Sequence, residues 1–358
     1  MRFIKIDQLE AGMTTARPIY NKQGALLIKK GHTLESRNIT ALYNMRYVGI
    51  YIIDALSHDI DITVEELVDP ETRHNAVSLV ESMYEQAANT KLSQAGNAAG
   101  EVTNLISDIV ERIFESDTAV INVPLLRTFD EYTYRHSVDV GMLTIMLGKT
   151  MNLSKENLME LGKSAFFHDL GKMFIPLEIL NKEGRLTDKE YEIMQKHAQL
   201  GYDFVRDTLR ENKAVTSGVL FHHEKYDGTG YPHKLKGEDI PIFGRMIAVA
   251  DVYDALGTDR PYRRAFSPSE SYEAILAQSG SHFDPDIVLA FRDTIAPYPA
   301  GIAVKLSNGL HGLVVRNNPS FIARPLIKAF NPAKPSKYRI VDLANDMDAL
   351  HITITGLV

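Results

Sequence analysis

Cysteine is absent from all 358 residues, so disulfides and thiolate metal ligands are both excluded. Any metal must be held by imidazole and carboxylate. Long apolar runs are also missing: residues 138–147 are too short and too interrupted to span a bilayer, and the start, Met1-Arg2-Phe3-Ile4-Lys5, lacks a signal-peptide core. Excess positive charge is missing as well, because 39 basic residues stand against 46 acidic ones, a net charge of −7. That balance argues against coating a DNA or RNA polymer, and any phosphate ligand must be met by a local cationic site. No repeat period or low-complexity tract stands out. These absences predict a cytoplasmic protein without a membrane partner, and the length predicts two or three domains.

What is present divides into three patterns. Residues 1–54 alternate short β-like runs (3–6, 25–28, 48–53) with turn signals and one helical stretch at 34–44, a small α+β module. Residues 57–67 read as acidic and irregular, 71–88 as helix, and 91–100, rich in Gly, Asn, Ser, Gln and Ala, as a loop or hinge. From 101 to 297 the apolar period is helical: Leu105, Ile109, Ile113 and Phe114 form one stripe, and 132–147 and 157–170 repeat it. Thr187 with Glu190, and Ser267 with Glu270, are capping boxes, the second with Pro268 at the first helical position. Beyond Pro299 the pattern alternates in 302–306, 312–316 and 352–355, with Asn308-Gly309 as a hairpin signal. The expected fold class is mainly α, an all-helical bundle flanked by a small N-terminal α+β module and a small C-terminal β module. The expected boundaries are 1–90 for the N-terminal module with its following helix, 91–114 for hinge and connecting helix, 115–297 for the catalytic bundle and 298–358 for the β module.

Five of the twelve histidines, His136, His168, His197, His222 and His223, lie between positions 136 and 223, where an even spread would place about three. Taken singly, a buried histidine is more commonly a hydrogen-bonded core residue than a ligand. Here each falls on or beside a core-facing stripe: His136 with Tyr132, Val140 and Leu143, His168 with Leu161 and Ala165, and His197 below Met194 and Tyr191. An unpartnered imidazole there costs a few kcal/mol. Asp169 adjoins His168, and Asp251 interrupts the apolar run Ile247-Ala248-Val249-Ala250, where a carboxylate is costly without a cation. Imidazole and carboxylate without sulfur suit iron or manganese, with zinc, nickel and cobalt as alternatives. Two such ions sharing a carboxylate can activate a hydroxide and stabilise a phosphoryl transition state, and Asp169 is the best candidate for the bridge.

Three motifs carry a family resemblance: His168-Asp169-Leu170-Gly171-Lys172, the run from His222-His223-Glu224 through Asp227-Gly228-Thr229-Gly230-Tyr231-Pro232, and the run from Asp251 through Asp254 to Arg260 and Arg263. Over roughly residues 115–297 the chain resembles the HD-GYP family, a branch of the HD superfamily of metal-dependent phosphohydrolases. The resemblance implies a cyclic di-GMP phosphodiesterase, giving the linear dinucleotide, GMP or both by in-line attack of a metal-bridging hydroxide. It implies His136, His168, Asp169, His197, His222, His223 and Asp251 as metal ligands. Lys172 would stand near the scissile phosphate, Asp254 would support the cluster or its water, and Tyr231, Arg260 and Arg263 would contact substrate. Surface salt bridges are the plainer account of the two arginines.

Family members with three metals use a glutamate four residues before the first histidine, a position occupied here by Tyr132. Glu131 is rotated about 100° around the helix axis. Two divalent ions are therefore expected. Gly228 and Gly230 are expected to let a loop fold over the site, stiffened by Pro232. The 1–54 module resembles the small domain often found ahead of HD-GYP domains. Competing readings are a degenerate cyclic-dinucleotide receptor without turnover, a phosphodiesterase for cyclic GMP-AMP, and a nucleoside-triphosphate hydrolase, the last disfavoured by the Gly-Tyr-Pro run. A homodimer and a signalling-protein partner stay open.

Overall fold

The computed structural model describes residues 1–21, 25–45, 47–62, 64, 68–88, 92–116, 132–258 and 265–358. Eleven helices and ten strands lie among them. The chain separates into two compact units: one contains Met1–Glu66 and Asp293–Val358, the other Leu67–Asp117 and Tyr132–Arg292.

In the first unit, strands β1 (Arg2–Lys5), β2 (Thr14–Thr15) and β5 (Gly49–Ile53) form a three-stranded antiparallel sheet with β5 at its centre. Strands β3 (Ile19–Tyr20) and β4 (Leu26–Ile28) form a separate hairpin, and helix α1 (Ser36–Asn44) buries Leu42 in the core made by Ile4, Leu34, Ile50 and Ile52. The chain's other end supplies a five-stranded sheet in the order β10-β6-β7-β8-β9, with β6 Ala303–Leu306, β7 His311–Arg316, β8 Leu326–Asn331, β9 Lys334–Asp342 and β10 Ile354–Leu357. The β8–β9 hairpin had no counterpart in the sequence reading. β9 is polar and exposed over most of its length, so it lacks the apolar alternation that marks a strand, and backbone pairing with β8 defines it.

The two chain ends, expected as separate modules, share a core. Tyr51, Ile62 and Val64 pack with Leu313, Val315 and Phe330, and the Phe3 amide donates to the Gly301 carbonyl at 2.8 Å. Lys328, 1% exposed, donates to the Leu56 carbonyl at 2.9 Å and the Asp59 carboxylate at 2.5 Å, with its ammonium 3.8 Å from the centre of the Tyr338 ring. A buried ammonium requires such partners, so the lysine fixes residues 56–59 against β8.

The second unit is helical: α2 (Pro70–Ala88), α3 (Leu92–Glu115), α4 (Tyr132–Thr150), α5 (Lys155–Phe167), α6 (Leu177–Leu180), α7 (Asp188–Asp207), α8 (Lys213–Phe221), α9 (Ile242–Leu256), α10 (Pro268–Leu276) and the greater part of α11 (Pro285–Thr294). Ser154 and Asn212 cap α5 and α8, and both capping boxes form at α7 and α10. Over the described residues 92–100, part of the stretch expected as a loop or hinge, the backbone is helical. Helix runs from Leu92 through Gly96 and Gly100, because Ala98, Ala99, Val102, Ile106 and Ile109 form a buried face packed on α2 and α5, and that burial outweighs the intrinsic cost of two glycines. Helices α4, α5, α8 and α9 pack on one another around Phe166, Phe167, Val219 and Ile247. None of the described helices is long and apolar enough to cross a membrane.

Candidate metal centre

Four of the five histidines reach the centre from different helical segments, with His223 following His222, and these four each have Nδ1 paired with a neighbour. His168 terminates α5 and its Nδ1 lies 2.7 Å from the Ala165 carbonyl; His222 terminates α8 with Nδ1 2.7 Å from the Val219 carbonyl; His197, within α7, has Nδ1 2.6 Å from the Met194 carbonyl. A carbonyl only accepts, so each Nδ1 carries the proton and each Nε2 presents a lone pair. His136, on α4, is held differently: its Nδ1 lies 2.7 Å from an oxygen of Asp254 and its Nε2 3.0 Å from an oxygen of Asp251, so carboxylates flank both ring nitrogens. Such outer hydrogen bonds orient imidazole ligands and raise their basicity.

The ring nitrogens converge on two carboxylates. Asp169 places its oxygens 3.4 Å from His168 Nε2, 3.6 Å from His197 Nε2, 3.9 Å from His136 Nε2 and 4.0 Å from His222 Nε2, and Lys172, one turn on, donates to it. Asp251 lies 3.0 Å from His136 Nε2 and 3.9 Å from His223 Nδ1. The donor atoms fall into two groups, each within a 4.8 Å span: Asp169, His197, His222 and His223 in one, and His136, His168 and Asp251 in the other. All seven residues expected as ligands are thus brought together.

The donor chemistry fits cations. His168 Nε2 and Asp169 Oδ1 are fully buried with no hydrogen-bond partner among the described residues, and the Nε2 atoms of His197 and His222 face each other at 3.4 Å. Two lone pairs so placed repel unless a proton or metal ion lies between them. Burial, reinforced by the neighbouring imidazoles, lowers the His222 pKa well below its ordinary value; burial also lowers His197, and takes His223 down to about 3. Burial opposes ionisation of Asp169 and Asp251, yet Lys172 with His168 in the first case, and the His136 hydrogen bond and charge in the second, outweigh it and hold both carboxyls below the usual range. Neutral imidazoles at His197, His222 and His223 beside ionised carboxylates are the protonation states that metal binding requires.

Three glycines let the backbone close on this centre. A Cβ on Gly171 would lie 1.9 Å from the His197 carbonyl oxygen and 2.5 Å from the Gly201 amide, so only glycine lets the turn carrying Asp169 and Lys172 lie against α7. In the loop after His223, Gly228 has φ of +85°, as expected, whereas Gly230 serves through close approach: a Cβ there would lie 2.3 Å from the Lys225 amide nitrogen.

Glu224 holds that loop, a function its position in the sequence did not disclose. It is 2% exposed, and its carboxylate accepts from the His233 amide at 2.7 Å and the Leu235 amide at 3.1 Å. The Tyr231 amide donates to the His223 carbonyl at 3.2 Å, and the Tyr231 ring stacks on His223 with centroids 4.7 Å apart. Burial, with Tyr191, Asp251 and Asp169 nearby, keeps the Tyr231 phenol protonated far above its ordinary range. Arg260 and Arg263, expected as substrate contacts, lie outside the described residues, as does the side chain of Tyr132. Ala165, Met194 and Val219 were also missed: they act through their carbonyls, and only their position three residues before a histidine marks them.

A sequence model of the family described as HD domain matches residues 102–287. A cyclic di-GMP phosphodiesterase of Pseudomonas aeruginosa is 35% identical over 285 residues, covering 77% of this chain and 68% of that protein. A cyclic di-GMP phosphodiesterase of Thermotoga maritima is 33% identical over 223 residues, covering 61% of this chain and 58% of that protein. A 3′3′-cGAMP-specific phosphodiesterase of Vibrio cholerae is 36% identical over 189 residues, covering 52% of this chain and 36% of its partner in the comparison. With the His-Asp pair, the Gly-Tyr-Pro loop and the converging imidazoles in place, the chain belongs to the HD-domain family, in its HD-GYP branch.

Proposed function

We propose that the chain is a metal-dependent phosphodiesterase that hydrolyses cyclic di-GMP to the linear dinucleotide, GMP or both. The observation that carries this reading is the pair of adjoining donor groups, with their inward ring nitrogens and the buried, ionised Asp169 between four imidazoles. His197, His222, His223 and Asp169 would hold one divalent ion; His136, His168 and Asp251 would hold a second, with Asp169 shared. Iron or manganese suits this nitrogen and oxygen set best. When bound, such ions supply Lewis acidity toward a phosphoryl oxygen and acidify water.

The chain's own residues position and neutralise. Asp254 fixes the His136 ring, and Lys172 adds a cation at Asp169, adjacent to any phosphate brought to the centre. Tyr231, stacked on His223, keeps a phenolic proton available for donation to a phosphate oxygen. Arg260 and Arg263 would complete a cationic contact for a dianionic ligand in an otherwise acidic chain.

The names of the relatives from Pseudomonas and Thermotoga favour cyclic di-GMP, and that of the Vibrio relative supports cyclic GMP-AMP as the second substrate to test. The deciding experiment purifies the protein anaerobically without chelator, measures metal per chain, and follows both cyclic dinucleotides by chromatography of products. Two ions per chain and turnover are expected, with Tyr132 at the place a third ion's carboxylate would need. Tight binding of cyclic di-GMP without product would identify a receptor instead.

A further inference from the structure

We propose that Tyr191 is a stacking platform for a nucleobase of the substrate, which deepens the phosphodiesterase reading and rests on it. An aromatic column runs outward from the metal centre. The His222 and His223 rings lie 4.1 Å apart, Tyr231 stacks on His223 at 4.7 Å, and Tyr191 meets Tyr231 at 6.3 Å with the planes at 82°. Tyr191 is the outermost member and is 49% exposed.

Its setting separates it from an ordinary surface tyrosine. Tyr191 projects from the first turns of α7, whose start is fixed by the Thr187–Glu190 capping box and whose later turns carry His197, itself 6.4 Å from the Tyr231 ring. The backbone position of Tyr191 relative to a candidate ligand is therefore set by one helix. Two ring-to-ring steps separate it from His223, comparable with the reach of a nucleotide from phosphate across ribose to base. A neutral aromatic ring serves purine and pyrimidine alike, because every base offers a π face. The cationic residues at the centre address phosphate, which is the same in every cyclic dinucleotide. Tyr191 supplies the contact that a phosphate site lacks.

The test uses full-length, manganese-loaded protein and calorimetric titration with GMP and with ribose 5-phosphate, which share the phosphate and sugar but differ in the base. In the unmodified chain GMP should bind about tenfold more tightly, within the range for stacking one base on an aromatic side chain. Tyr191→Ala should weaken GMP about tenfold and leave ribose 5-phosphate and metal content unchanged, whereas Tyr191→Phe should keep the GMP affinity. Equal binding of the two ligands by the unmodified chain would overturn the proposal, as would a Tyr191→Ala variant that keeps the difference. Loss of both ligands together would overturn it too, because Tyr191 would then act only by supporting Tyr231. Loss of the GMP advantage in a protein that fails to turn over cyclic di-GMP would leave the stacking site standing and remove the phosphodiesterase reading.

Discussion

Replacing Glu224 tests whether the Gly-Tyr-Pro loop is held by one buried carboxylate. The side chain accepts from two backbone amides, His233 and Leu235, and hydrogen bonds to a charged acceptor contribute about 1.5–3 kcal/mol each. Two such bonds set a gross loss of about 3–6 kcal/mol for Glu224→Ala. Water recovers part of it, since His233 is exposed and Leu235 half-buried, so the net expectation is about 2–3 kcal/mol. Glu224→Gln keeps the shape but turns an NH2 group toward one amide donor, which costs about 1–3 kcal/mol. Because the loop carries Tyr231 onto His223, the damage should concentrate there. Urea denaturation should report the stability loss, limited proteolysis should cut the 225–236 segment faster, and kcat/KM should fall at least tenfold. Metal content should fall much less. A Glu224→Ala protein with unchanged kcat/KM and proteolytic resistance would refute the reasoning.

Gly171→Ala should be among the most damaging single-methyl changes, since the new carbon meets backbone on α7 that cannot rotate away; overpacking costs about 1–3 kcal/mol or more, and a wild-type melting temperature would contradict it. Asp169→Ala should abolish turnover and lower metal per chain measured by elemental analysis, with the helical circular dichroism retained; full activity would sink the metal mechanism. The metal-free protein should lose stability on acidification. His197, His222 and His223 have folded pKa values below the ordinary 6.5, so the unfolded chain binds more protons once pH falls under 6.5. Stability should then decline by about 1.4 kcal/mol per pH unit per histidine, continuing toward pH 3 for His223. Denaturation midpoints at pH 7.5 and 5.5, measured after chelation, check the sign.

Much of the site was legible in the sequence because its chemistry resides in residue types. Without cysteine, a metal centre had to use histidine and carboxylate, and Asp251 within an apolar run announced a buried charge with a partner elsewhere. The capping boxes at Thr187 and Ser267 were legible because their hydrogen bonds span only three residues. Convergence was not: His136, His168, His197 and His222 lie on α4, α5, α7 and α8, and only helix packing brings their Nε2 atoms to Asp169. The ring tautomers rest on backbone carbonyls of Ala165, Met194 and Val219, which any residue type could supply. Glu224 carries no local mark of its role, because the amides it accepts from, His233 and Leu235, lie beyond the turn that follows it. The 92–100 segment misled because two glycines weigh locally against helix, while the burial of Ala98 and Ala99 against neighbouring helices is tertiary. The shared core of the two chain ends was invisible for the same reason: Lys328 and Asp59 stand 269 residues apart, and no local pattern encodes a contact across that distance.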